Sequence, residues 1–294
     1  MGIVLGLLTA LSWGSADLCA RFAARKIGAF RTMLYMQLIG LVLLTAALYW
    51  FGGLGHLGDG SGWRPWEWGI AVGVLNTVGT LALYRSFEVG KMSIVAPISA
   101  SYPALTMLLS ATAGERLTAV RMAGFALILL GVVVVARGES ENANASDAEA
   151  AQTLGKNRAG VGWALLAALS FGVMFWILGV RVIPMLGSAQ TVWVIRLTSV
   201  VLMMLVMLFL RMPLKLPAGG AKPWILSVGL LDTGAYVLNN YGMQHEQVSV
   251  VSVLASLYGA VTVALAAVLL GEKISRLQWM GVAAIFAGIV LISR

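Results

Sequence analysis

Three side chains in this sequence carry full charge inside long apolar stretches: Asp17, Arg196 and Asp232. A charge near the middle of a membrane helix costs about 2.5–3.5 kcal/mol on insertion scales, so each one needs a partner, water or a task. Asp17 stands four residues before Arg21, which puts both on one helical face. It is read either as an ion pair with a snorkelling Arg21 or as a carboxylate that handles a proton or another cation. Arg196 suits an anionic group such as a carboxylate. It would equally lock helices together by pairing with an acid or with helix-end carbonyls. Asp17 and Arg196 are therefore the candidates for ion or charge coupling.

Asp232 opens a polar run with Thr233, Tyr236, Asn239 and Asn240, and positions 232, 236, 239 and 240 share one helical stripe. Asn76, Thr77, Thr80 and Tyr84 make a matching stripe earlier in the chain. Such stripes do not face lipid; they line a cavity or a helix interface. Pro97 and Pro103 each remove a backbone donor and can kink their helix. Tyr102 lies beside them, and Tyr258 lies beside Gly259 in the corresponding later segment. The expected binding set is Asn76, Tyr84, Tyr102, Asp232, Tyr236, Asn239 and Tyr258. Serines 99, 101, 252 and 256 serve helix packing as readily as binding. Trp13, Phe171, Phe175, Trp176 and Trp193 fall within spans, where stacking on a substrate and plain packing are both open. Trp63, Trp66, Trp68 and Trp224 read as interfacial belt residues.

Other chemistry is thinly represented. One cysteine, Cys19, excludes an internal disulfide, and two histidines, His56 and His245, do not make a histidine metal site. No metal and no cofactor is expected. Asp17 to Arg21 echoes a fragment of the CDP-alcohol phosphotransferase motif, but no further aspartate follows before Asp59. With no catalytic serine motif or phosphate-binding glycine loop, the chain does not read as an enzyme.

The elements that position these residues follow from composition. Of 294 residues 60% are apolar and 11% charged, with mean hydropathy +0.89; a soluble domain carries about 25% charge. This is an all-α polytopic membrane protein. Ten spans are expected, near 3–22, 30–51, 68–87, 92–112, 117–136, 160–180, 190–210, 223–243, 248–270 and 275–293. The first lacks a basic leader region and reads as a retained span. The polar stretch 138–159 reads as a flexible linker. Within it, Asn144-Ala145-Ser146 fits a glycosylation sequon that nothing else supports.

The chain also repeats itself. Adding 156 carries Gly73 onto Gly229, Thr77 onto Thr233, Tyr102 onto Tyr258 and Thr106 onto Thr262. Later the offset is 157, and Gly124 and Gly131 fall on Gly281 and Gly288. Residues 1–137 and 160–294 are therefore read as two repeats of five spans each. Five is odd, so the second repeat enters the membrane in the opposite sense, and the repeats are inverted. Lys and Arg number 14 at the connections after odd spans and 5 at those after even spans and the C-terminus. That asymmetry accounts for the net charge of +8 without nucleic acid, and it places the odd connections in the cytoplasm.

Leu11-Ser12-Trp13-Gly14 and Leu169-Ser170-Phe171-Gly172 open the two repeats. Gly114-Glu115-Arg116-Leu117 and Gly271-Glu272-Lys273-Ile274 lead into their last spans. In these residues the chain resembles the drug/metabolite transporter superfamily, specifically its ten-helix EamA-type members. The resemblance implies an exporter of small metabolites, often amino acids, in the bacterial inner membrane, with a cavity between the repeats. It also implies both termini in the cytoplasm, against the charge count, so orientation stays open. The related small multidrug resistance proteins carry an essential acid in their first helix, where Asp17 stands here. Expected partners are the bilayer and a small-molecule substrate, the chain acting as monomer or homodimer. A lipid-linked sugar flippase and a passive channel or sensor remain alternatives.

Overall fold

The computed structural model describes residues 2–53, 62–112, 118–141, 148–215, 217, 219–245, 254–272 and 274–292. Among the described residues there are helices and no strand. They run as α1 (Gly2–Ile27), α2 (Ala29–Trp50), α3 (Arg64–Val89), α4 in two pieces (Met92–Ser99 and Pro103–Thr112) and α5 (Ala119–Glu141). The second half has α6 (Ala148–Ile177), α7 (Ser188–Phe209), α8 (Lys222–His245), α9 (Tyr258–Leu269) and α10 (Arg276–Ile292). A π turn, Leu178–Val182, and the short helix Ile183–Leu186 continue α6. Five helical stretches among the described residues are long and apolar enough to cross a membrane, and three shorter apolar ones fall in α5, α9 and α10. Helices α1 and α8, with 26 and 24 residues, occupy the other two expected spans.

The polar connection departs from expectation. Residues 138–141 continue α5, and 148–159 belong to α6. Ala148-Glu149-Ala150-Ala151-Gln152 consists of strong helix formers, so local propensity outweighs polarity there. The sequon at Asn144, together with Gly114 to Leu117, Lys273 and His56, lies outside the described residues.

The main packing partnerships join the two halves: α1 with α8 and α9, α2 with α7 and α8, α3 with α6 and α7, α4 with α6 and α9, and α5 with α10. Exchanging each helix with its counterpart five places on returns the same set, as a two-fold axis requires. The direction of the second half follows from glycines. A Cβ built on Gly124 would lie 2.8 Å from the Gly288 carbonyl oxygen, and one on Gly131 would lie 2.7 Å from that of Gly281. The order is reversed along α10, so α5 and α10 run antiparallel. Equivalent helices running antiparallel make the repeats inverted. The α2–α7 pair agrees: Gln37 meets Arg196, Thr45 meets Trp193, and Gly53 meets Gln190.

Both α2 and α7 start at a glycine that only a left-handed backbone can turn, Gly28 at φ 85° and Gly187 at φ 78°. The spacing of 159 between these glycines also carries Gln37 onto Arg196. Polarity is inside out. Val42, Leu130, Leu205 and Met280 are exposed, whereas Thr9, Gln37, Asn76, Arg196, Ser199 and Asn240 are buried. Lipid outside and polar neighbours inside produce that distribution.

Candidate functional site

The breaks in α4 and α9 are where the site begins. Pro103 starts the second piece of α4, so the chain turns through residues 100–102 and aims Tyr102 inward. The first residue of α9 is Tyr258, after a turn at Leu257. Gly259 lets the two helices close up, since a Cβ there would sit 2.7 Å from the Cβ of Ala100. The two tyrosines thus occupy equivalent positions on equivalent broken helices.

Between them lies a cavity of about 50 Å³, lined from both repeats. Trp13, Ala16 and Asp17 come from α1, Thr80, Leu83 and Tyr84 from α3, and Tyr102 from α4. Helix α6 supplies Phe171 and Phe175, α8 supplies Asp232 and Tyr236, and α9 supplies Tyr258. The rings form a connected wall. Phe175 stacks on Tyr102 at 4.7 Å between centroids and lies nearly parallel to Tyr236 at 6.4 Å. Trp13 meets Tyr236 edge-on at 5.3 Å and Tyr258 at 6.0 Å.

The two carboxylates differ in their company. Asp232 Oδ2 receives a 2.5 Å bond from Arg196 Nη2. Arg196 is completely buried behind the wall. Its Nη1 donates to Gln37 Oε1 at 2.6 Å, and its guanidinium lies 5.5 Å from the Tyr236 ring centroid. Arg196 of α7 thus pairs with an acid on α8 and an amide on α2. Asp17 is buried and accepts a 2.9 Å bond from the Thr262 hydroxyl. Of the two readings of Asp17, the pair with Arg21 does not form. Arg21 makes a 2.6 Å ion pair with Glu272 instead, with its Nη1 hydrogens poorly aimed at the oxygen. Arg21 is one turn nearer the helix end, where the end of α9 is closer than its own Asp17. The Glu272 carboxylate also accepts the backbone N–H groups of Met92 and Ser93 at 3.3 and 2.9 Å, at the open end of α4.

Of the expected binding set, Tyr84, Tyr102, Asp232, Tyr236 and Tyr258 line the cavity. Asn76 and Asn239 do not. Asn76 stands one layer back, accepting from the Tyr236 hydroxyl at 2.9 Å and donating to Ser199 Oγ at 3.3 Å. Asn239 donates to Asn240 Oδ1 at 3.4 Å, and Asn240 reaches the Ser188 carbonyl. The stripe is one face of a helix, but the cavity covers only part of that face. Sequence reasoning did not find Gln37, Thr262 or the ion-pairing role of Glu272. For Gln37 the signal was present: it is the repeat counterpart of Arg196.

A bundle of two inverted five-helix repeats, closed around a polar and aromatic cavity at their interface, is the architecture of a membrane transporter. The chain belongs to the EamA-like transporter family, whose pattern matches it twice, over residues 1–137 and 158–294. It is thus a multi-pass membrane transporter of small molecules. An uncharacterized protein of Methanocaldococcus jannaschii is 30% identical over 134 residues, which are 45% of this chain and 94% of that protein. A solved crystal structure matches 99% of this chain and 96% of its own, with TM-score 0.69 and 20% identity. At that identity the likeness speaks to the fold.

Proposed function

We propose that this protein is a secondary transporter that exports a small amphipathic metabolite across the bacterial inner membrane by alternating access. The observation that carries this reading is the cavity between the repeats, to which α1, α3 and α4 contribute from one and α6, α8 and α9 from the other. Rocking of one repeat against the other changes which side such a cavity faces. Its lining of aromatic rings with a few polar groups suits a compact, partly apolar organic molecule. Tyr84, Tyr102, Tyr236 and Tyr258 form the binding wall, and Asp17 and Asp232 supply its carboxylates. The energy comes from an ion gradient or from the substrate's own gradient.

Cells overproducing the protein are challenged with growth-inhibitory amino acids, aromatic amines and aromatic acids. Protection against at least one compound is expected, and Thr80→Phe, which fills the cavity, removes it. That compound then shows counterflow in proteoliposomes without ATP, and Tyr258→Phe slows it. A strict ATP requirement, or flux without trans-stimulation, counts against a carrier.

A further inference from the structure

We infer that the cavity selects an organic cation, a molecule with one protonated amine on a flat apolar body, and that Asp17 is the group that recognises the charge. This rests on the reading of the cavity as a substrate site. The argument is a charge balance. Asp232 already has its cation in Arg196, whose second nitrogen is held by Gln37. That pair is neutral and braced. Asp17 has none, because Arg21 is committed to Glu272, and among the described residues no other cation pairs with it. Among the described residues its bonded partner is the neutral Thr262 hydroxyl. A carboxylate in an apolar cavity stays ionised only when a cation matches it and otherwise takes up a proton, so a cationic ligand is the partner that holds Asp17 charged.

The walls favour the same ligand class. A cation is attracted to ring faces, and Trp13, Tyr84, Tyr102, Phe175, Tyr236 and Tyr258 surround the space beside Asp17. An anionic ligand would meet Asp17 directly while Arg196 stands behind the wall on Asp232. A bare metal ion is poorly served, since among the described residues no three metal-ligating side chains gather.

Three indoles of similar shape serve as probes: tryptamine (charge +1), 3-ethylindole (0) and indole-3-acetate (−1). Equilibrium dialysis against the purified full chain in detergent, in sodium-free buffer at neutral pH, reads their affinities. Tryptamine is expected to bind at least tenfold more tightly than either of the others, and Asp17→Asn to shrink that ratio below threefold. Equal affinity for tryptamine and 3-ethylindole, or a preference for indole-3-acetate, overturns the inference. So does an undiminished preference in folded Asp17→Asn. The wild-type ratio decides even if that variant fails to fold. Ala16→Phe and Thr80→Phe fill the cavity from two helices. If tryptamine still binds as tightly in both folded variants, the cavity reading itself has failed. If binding is lost in them but the wild type shows no charge preference, only the cation inference has.

Discussion

Single residues in this protein act through the charge they leave for their neighbours. Arg196 and Asp232 form a pair with side-chain exposures of 1% and 17%. Removing one partner of such a pair costs about 3–5 kcal/mol, most of it from the stranded charge. Asp232→Asn is therefore expected to lower the melting temperature in detergent as well as transport. The repeat shows how to separate the two effects. Counting through the repeat offsets, Gln37 corresponds to Arg196 and Asn76 to Asp232, so the first repeat holds neutral amides where the second holds ions. The double variant Arg196→Gln with Asp232→Asn should melt above either single variant. A double-mutant cycle measures that coupling, and additive losses would show that the pair is not energetically linked.

At the scale of elements, close approach and end-capping decide the geometry. Gly288 faces the Gly124 carbonyl, and a Cβ there would lie 2.6 Å from that oxygen. Backbone cannot yield as a side-chain tip can, so Gly288→Ala should force α5 and α10 apart. Overpacking of this kind costs about 1–3 kcal/mol, read as a lower melting temperature. Gly162 has open space around its missing Cβ, and Gly162→Ala is the control expected to melt like the wild type. Glu272 ties three elements, pairing with Arg21 of α1 from the end of α9 while accepting two N–H groups at the start of α4. A negative group suits the positive end of α4. Glu272→Gln should speed hydrogen exchange at the amides of residues 92–96 while the amides of α7 exchange as before. Unchanged protection would show that the cap is dispensable.

The whole molecule is held together by contacts between repeats more than by contacts within them. The principal helix pairings all cross from one repeat to the other. The first half alone would leave Gln37 and Asn76 in lipid without the partners that Arg196, Ser199 and Tyr236 of the second half supply. The M. jannaschii protein that aligns over 94% of its length with less than half of this chain is itself about one repeat long. We therefore expect fragments 1–146 and 147–294, co-expressed, to copurify and to restore the resistance of the intact chain. Either fragment alone should accumulate poorly. Full accumulation of a lone half would mean that the repeats fold independently.

Periodicity and repetition made the architecture readable in the sequence. Ten apolar stretches, an internal offset of 156 and an odd number of spans per repeat together imply two inverted five-helix units. The 2.7–2.8 Å glycine approaches between α5 and α10 have the antiparallel order this requires. The tyrosines and Asp232 were legible for the same reason, since polar side chains in lipid-spanning helices must turn inward. Partner choice was not legible. Arg21 lies one turn from Asp17 on α1, yet it pairs with Glu272 from the far end of the chain, and among the described residues no cation pairs with Asp17. Likewise Asn76 and Asn239 share the polar stripes but stand outside the cavity, because helix packing, not helical phase alone, sets where the space opens. A sequence specifies which face of a helix is polar; only the packed bundle decides which groups on that face meet each other and which are left for a ligand.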